Sequence, residues 1–222
     1  MDRIFEPELM VGDGQAYAYA HADFSEPHNN FIKMFQKQHC NQEMDGYVLD
    51  IGCGPGDIMF RFARAHSNCI IHGIDGSDAM IRYGKKFLEN ASDIQHRIVF
   101  IQGILPEKIL PRKKYDAVIS NSFLHHLHNP HVLWNVIKKY AVPGAPIFIM
   151  DLRRPKSIDD AQRLMKTYVA NEPEVLRKDF YHSLLAAFEV EEIIEQLKIA
   201  GLSHLSVNIA SDRHVIVSGY MK

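Results

Sequence analysis

Between Tyr47 and Asp151, short apolar runs alternate with segments in which apolar residues recur every three or four positions. The first run, Tyr47-Val48-Leu49, stops at Asp50 before the turn Gly52-Cys53-Gly54-Pro55-Gly56, after which Asp57 offers a cap to a helix over Ile58 to Ala65. Ile70 to Asp75 reads as a second strand, followed by a turn at Gly76 and a helix, capped by Ser77, that runs to about Asn90. Arg97 to Gln102 and Tyr115 to Ser120 are the third and fourth strands; Ile147 to Asp151, entered from the turn Pro143 to Pro146, is the fifth. Between the last two, Asn129 caps a helix with Pro130 at its first position and Val132, Leu133, Val136, Ile137 and Tyr140 on one face. Such alternation predicts parallel strands joined by helical crossovers, an α/β doubly wound sheet.

The flanks follow other rules. Residues 1–46 predict an N-terminal helical lid: one helix from Gly12-Asp13-Gly14 through Ala20, then another capped at Ser25, with Pro27 near its start and Phe31, Met34 and Phe35 on one face. The main domain is 47–222. Within it, 152–188 interrupt the alternation and read as an inserted cap over the C-terminal edge of the sheet, where specificity is usually built. A helix with Val190, Ile193, Ile194, Leu197 and Ala200 on one face then stops at Gly201. His204 to Ala210 and Arg213 to Gly219, linked by Ser211-Asp212, close the chain as an antiparallel hairpin.

Bulk composition narrows the function class. The 222 residues, 46% hydrophobic and 23% charged, suit one α/β domain with a large core. Net charge is −2, from 25 Lys and Arg against 27 Asp and Glu, so sequence-independent nucleic-acid binding is not expected. No run approaches the length of a membrane span, and Met1-Asp2-Arg3 leads into no apolar signal segment. Cys40, Cys53 and Cys69 are an odd number without C-x-x-C spacing, which reads as reduced thiols in a cytoplasmic protein.

The acids and glycines carry the chemistry. Gly52, Gly54 and Gly56 let the main chain take positive φ and approach a nucleotide-like ligand beside a helix N-terminus. Asp75 stands 25 positions after Asp50 (75 − 50), at the end of the second strand, where a carboxylate grips both hydroxyls of a ribose. Beyond the fourth strand, His125 and His126 are candidate general bases; the alternative for either is to pack or cap a turn. No metal is expected, because His125, His126, His128 and His131 have no nearby carboxylate or thiolate partner and do not form H-E-x-x-H. Arg153, at the end of the fifth strand, is a candidate for holding an acceptor's carboxylate or phosphate, with Tyr168 and Tyr181 in the insert and Tyr19 in the lid as further candidate acceptor contacts. Cys53 reads as a small residue filling the turn rather than a reactive thiol.

Taken together, Val48 to Gly56, Ile74-Asp75-Gly76-Ser77, Tyr115 to Leu127, the prolyl-glycyl turn and the closing hairpin resemble a class I S-adenosylmethionine-dependent methyltransferase of the small-molecule type. The resemblance covers about residue 45 to the end and implies a seven-stranded Rossmann-like sheet of order 3-2-1-4-5-7-6 with strand 7 antiparallel. It implies S-adenosyl-L-methionine as cofactor and S-adenosyl-L-homocysteine as product. Asp50, Gly52, Cys53 and Gly54 would surround the methionine moiety, Asp75 with Gly76 and Ser77 the ribose, and Met80 the adenine, while Asn121, Ser122 and Phe123 would line the path to the methyl group. Where the family often has an acid after the third strand, this chain has Gln102-Gly103, so the adenine amino group would be met by Gln102 or by main chain. The acceptor implied is a small molecule; Asn121 is followed by Ser122-Phe123-Leu124 rather than the Asn-Pro-Pro-Tyr type motif of adenine or glutamine-amide methylation. Two other readings stay open: a nicotinamide-dependent dehydrogenase, although no Tyr-x-x-x-Lys pair occurs, and a non-catalytic cofactor-binding protein on the same fold.

Overall fold

The computed structural model describes residues 1–10, 12–39 and 43–222; Cys40 lies outside them. Two helices, α1 (Asp13–His21) and α2 (Ser25–Gln38), precede β1 (Asp45–Ile51), α3 (Asp57–Ala65), β2 (Asn68–Asp75), α4 (Asp78–Leu88), β3 (Ile98–Gln102) and β4 (Ala117–Asn121). Then follow α5 (His131–Tyr140), β5 (Pro146–Leu152), α6 (Ile158–Tyr168), α7 (Glu174–Ala186), α8 (Val190–Ile199), β6 (Ser206–Ile209) and β7 (His214–Tyr220). The strands form one sheet in the order β3-β2-β1-β4-β5-β7-β6. All pairings are parallel except those of β7, which runs antiparallel to both β5 and β6.

Both faces of the sheet are buried, and the side-chain period of two divides the core. Leu49, Ile51, Val118, Ile147 and Ile149 pack on one side with Trp134 of α5 and Leu197 of α8. Val48, Ile71, Phe148 and Met150 pack on the other with Phe62 of α3. Trp134 is fully buried, and its indole N–H donates to Gln196 Oε1 at 3.0 Å, so α5 and α8 share a satisfied polar contact within apolar packing.

Helix ends show where side-chain chemistry displaced simple capping. Asp57 does not cap α3: Gly56, at φ +87°, takes that position, and the Asp57 carboxylate pairs with His28 Nδ1 (2.6 Å) and Arg61 Nε (2.8 Å). Ser25 and Asn129 miss their expected cap positions by one residue, with Phe24 and Pro130 standing there instead. Gly201, at φ +73°, ends α8 as expected: its N–H donates to the Lys198 carbonyl and that of Leu202 to the Leu197 carbonyl, a Schellman motif.

The expected lid separates into two parts. α2 belongs to a covering layer of the sheet, with Phe31 and Phe35 edge-on to Phe148 at 4.9 and 5.7 Å. The first ten residues instead run as a strap over the C-terminal ends of the strands: Ile4 N–H donates to the Leu185 carbonyl on α7, and Met10 carbonyl accepts from Ser77 Oγ at the start of α4. Among the described residues, no helix is long and apolar enough to cross a membrane.

Candidate active site

Strand order reverses between β1 and β4, and the crevice beyond their carboxyl ends is where such sheets bind ligands. The turn after β1 is drawn against β2: Gly52 and Cys53 N–H both donate to the Ile74 carbonyl, at 2.8 and 3.1 Å. Gly52, at φ +73°, also admits the Phe123 ring, since a Cβ there would lie 2.3 Å from that ring. Asp75 closes the turn by accepting from Gly54 N–H (2.9 Å) and Ser77 N–H (2.8 Å), and Ser77 Oγ caps α4 by accepting from Met80 N–H.

Asp50 behaves differently. It is 1% exposed, neither carboxylate oxygen has a hydrogen-bond partner, and burial followed by the Asp75 charge pushes its pKa up to about 8. A buried, unpaired carboxyl is costly unless a donor or cation completes it. Asp50 and Asp75 open into one cavity of about 580 Å³, within the range of small-ligand sites.

His125 and His126 line the same cavity. His125 is 3% exposed; its Nδ1 lies 2.5 Å from Asp151 Oδ1, and its Nε2 lies 3.4 Å from Glu6 Oε1 on the strap. The His126 ring lies tilted against it at 4.2 Å between centroids and points Nδ1 at the same Glu6 oxygen, 3.2 Å away. Burial alone would lower the His125 pKa, but the Asp151 and Glu6 carboxylates more than offset that and raise it. Burial and the neighbouring His125 charge drop His126 to about 3, so that ring is neutral. Arg3 ties the strap down by donating to the carbonyls of His125 and Leu127 and stacking on Phe188.

A family model described as a methyltransferase domain matches residues 49–147, the segment from β1 into β5 that builds the glycine turn, Asp75 and the histidine loop. The chain is 26% identical over 210 residues to phosphoethanolamine N-methyltransferase 1 of Zea mays, covering 95% of this chain and 36% of that protein. It is 33% identical over 103 residues to protein arginine N-methyltransferase 1 of Dictyostelium discoideum, covering 45% of this chain and 29% of that protein. The chain thus spans about a third of the length of these curated relatives. Among solved structures, the plantazolicin methyltransferase BpumL superposes with a TM-score of 0.71 at 15% identity, over 95% of this chain and 89% of its own. Residues 49–147 thus match a methyltransferase domain, and the whole chain has the fold of the solved methyltransferases.

The cofactor of these methyltransferases fits what the cavity offers. The unpartnered Asp50 oxygens suit the ammonium of a methionine moiety, and Asp75 keeps acceptor capacity for ribose hydroxyls beyond its two main-chain bonds. Gly52, Cys53, Gly54, Gly76, Ser77, Met80, Asn121, Ser122 and Phe123 line the cavity. Ser122 is held at φ +53°, rare outside glycine, while its N–H donates to the Met150 carbonyl. The Cys53 thiol is held well above its ordinary pKa by burial, which matches a packing role. Gln102 and Gly103 stand outside the lining: the Gln102 amide turns away to the Gly76 carbonyl, and Gly103 N–H is spent on the Asp75 carbonyl.

The candidate acceptor contacts divide in the same way. Tyr19 lines the cavity, with its phenol pushed up to about 12 by burial and the Asp75 charge, and so does Tyr168. Tyr181 and Phe180 both pack against the apolar cluster of α6 and α7, and of the two Phe180 lines the cavity. Arg153 is outside the lining; its N–H is tied to the Arg213 carbonyl, and Arg213, lying 3.3 Å over the Tyr168 ring, lines the cavity, as Arg61 does. Sequence reasoning missed Glu6, Arg213 and the pairing of Asp151 with His125. Of these, Arg213 had a signal, because the start of an antiparallel last strand returns to the carboxyl end of β5.

With the Asp50 oxygens as the partner of the cofactor's ammonium, cofactor affinity is expected to depend on pH. The raised Asp50 pKa leaves the carboxyl protonated near neutrality, whereas an ammonium partner requires the anion, so binding releases a proton. Affinity for S-adenosylmethionine is expected to climb by up to about tenfold per pH unit between about pH 6 and 7.5, and Asp50→Asn flattens the slope. Calorimetry across that range reads it; equal wild-type affinity at both ends would contradict the assignment. For the cofactor-free protein the sign is the same as for any raised pKa. Stability from this group is fully present below 3.8 and is lost as pH rises through about 8.

Proposed function

We propose that this protein transfers the methyl group of S-adenosylmethionine to a small-molecule acceptor whose reacting group is received at the wall formed by His125, His126 and Phe123. The observation that carries this is the shared cavity, lined by the partnerless Asp50, the strand-end Asp75 and the paired histidines. When bound, the cofactor supplies a sulfonium methyl that an acceptor nucleophile displaces in line. Asp50 would hold its amino group and Asp75 its ribose, while the glycine turn Gly52 to Gly54 lets the main chain approach the methionine moiety closely. The protein's part is then orientation, worth up to roughly 7–11 kcal/mol in well-aligned reactions, together with removal of the acceptor's proton.

A small acceptor fits the enclosure. The strap and α7 cover the cavity, and about 580 Å³ must hold both cofactor and acceptor. The names of the relatives point the same way in part: one acts on phosphoethanolamine and another on protein arginine.

The test is release of S-adenosylhomocysteine, by mass spectrometry, from protein, cofactor and a panel of small amines, phenols, thiols and carboxylic acids. At least one class should give turnover that the Asp75→Ala variant loses. Binding of cofactor without product from any class would favour the non-catalytic reading.

A further inference from the structure

We propose that Glu6, His125 and His126 form a binding site for a divalent cation of zinc type, closed on three sides by protein and open to the cavity on the fourth. The expectation of no metal rested on the lack of a carboxylate near the histidines in sequence, and the strap supplies one from 119 positions away (125 − 6). One ligand atom from each residue lies within 4.8 Å of the other two. Glu6 Oε1 stands 3.2 Å from His126 Nδ1 and 3.4 Å from His125 Nε2. Zinc bonds of about 2.0–2.1 Å in tetrahedral geometry put neighbouring ligand atoms about 3.3 Å apart.

These close approaches are not hydrogen bonds. Glu6 Oε1 and His126 Nδ1 are both buried without a hydrogen-bond partner, although they are 3.2 Å from each other, and the Glu6 side chain is only 8% exposed. An imidazole nitrogen and a carboxylate oxygen that face each other in a buried place without a hydrogen bond leave room for a cation to complete both. The surroundings favour a cation. Asp151 on His125 Nδ1 is the carboxylate behind a ligating imidazole that fixes its tautomer and leaves Nε2 free to ligate. Ser183 Oγ donates to Glu6 Oε2 at 3.2 Å, which leaves Oε1 to point at the histidines. Two imidazoles, one carboxylate and an open fourth position make the ligand set of catalytic rather than structural zinc sites. His125 and His126 also line the cavity, so that position faces the space assigned to the acceptor. Any role of the cation in the reaction rests on the proposed methyl transfer; its binding does not.

The test is therefore made without cofactor or acceptor. Wild-type protein stripped with a chelator is titrated with zinc chloride by calorimetry and with cobalt(II) by visible absorption, alongside Glu6→Gln, His126→Ala and the exposed-surface control His96→Ala. One equivalent per chain is expected, with a cobalt spectrum of low coordination number. Affinity should fall by more than about tenfold in Glu6→Gln and His126→Ala and stay unchanged in the control. Circular dichroism melts confirm that each variant is folded, and Glu6→Gln keeps the side-chain shape should His126→Ala not fold. Absence of saturable binding, or binding that survives Glu6→Gln, overturns the site. Homocysteine-product release by the metal-free protein is measured separately, so loss of this site and loss of the methyltransferase reading give different results.

Discussion

His125→Ala is expected to lower stability by about 3–5 kcal/mol, because it leaves Asp151 charged and buried without its partner. For a chain of this size that is a fall of roughly 10 °C in melting temperature. Asp151 is 2% exposed and still accepts from Leu124 and Leu152 N–H, so the histidine is its one cationic contact among its direct hydrogen bonds. The pH dependence has a definite sign on each side. Burial would raise the Asp151 pKa, but His125 more than offsets it, so the stability from Asp151 is present above 3.8 and lost as pH falls through its lowered value. The stability from His125, whose pKa is raised, is present below 6.5 and lost as pH rises through that raised value. The difference between wild type and His125→Ala is therefore greatest between the two values and shrinks toward either extreme. Melts followed by circular dichroism at about pH 3, 6 and 9 test this, and a variant within about 2 °C of wild type at pH 6 would contradict the buried pair. Product release should also drop by about 10²-fold or more, the usual cost of losing a group that handles a proton.

Asp75→Ala is expected to weaken S-adenosylmethionine binding by at least about 10²-fold. Two charge-assisted hydrogen bonds to ribose hydroxyls, at about 1.5–3 kcal/mol each, set that scale. The carboxylate also holds Gly54 and Ser77 N–H, so its removal loosens the turn that approaches the cofactor. Asp75→Asn keeps one acceptor oxygen and the volume, and should lose less. Calorimetry separates the three proteins; equal affinity in wild type and Asp75→Ala would remove Asp75 from the site.

Much of this was legible because it is local. The strands that carry Asp50 and Asp75 announce themselves by apolar runs cut short at an acid, and a parallel sheet then places both acids at one edge. The closing hairpin was equally readable from two β-rich runs around Ser211-Asp212, and β7 pairs antiparallel to β5 as the resemblance implied. Glu6 was not legible. Nothing near it in sequence suggests a site, and only the strap, held by Arg3, Ile4 and Met10, delivers it to the histidines. Asp151 was visible as a strand end but not as the partner of His125, since that contact depends on how the loop after β4 folds back over β5. Arg153 looked placed for the acceptor because it follows β5, yet its main chain is tied into pairing with the segment before β7, and Arg213 takes the cavity wall.

The most direct test of the central claim is titration of the folded wild-type protein with S-adenosylmethionine and S-adenosylhomocysteine by calorimetry. The cavity with its two strand-end acids predicts saturable one-to-one binding of both ligands, each competing with the other. No heat from either, with binding of a nicotinamide dinucleotide instead, would contradict it.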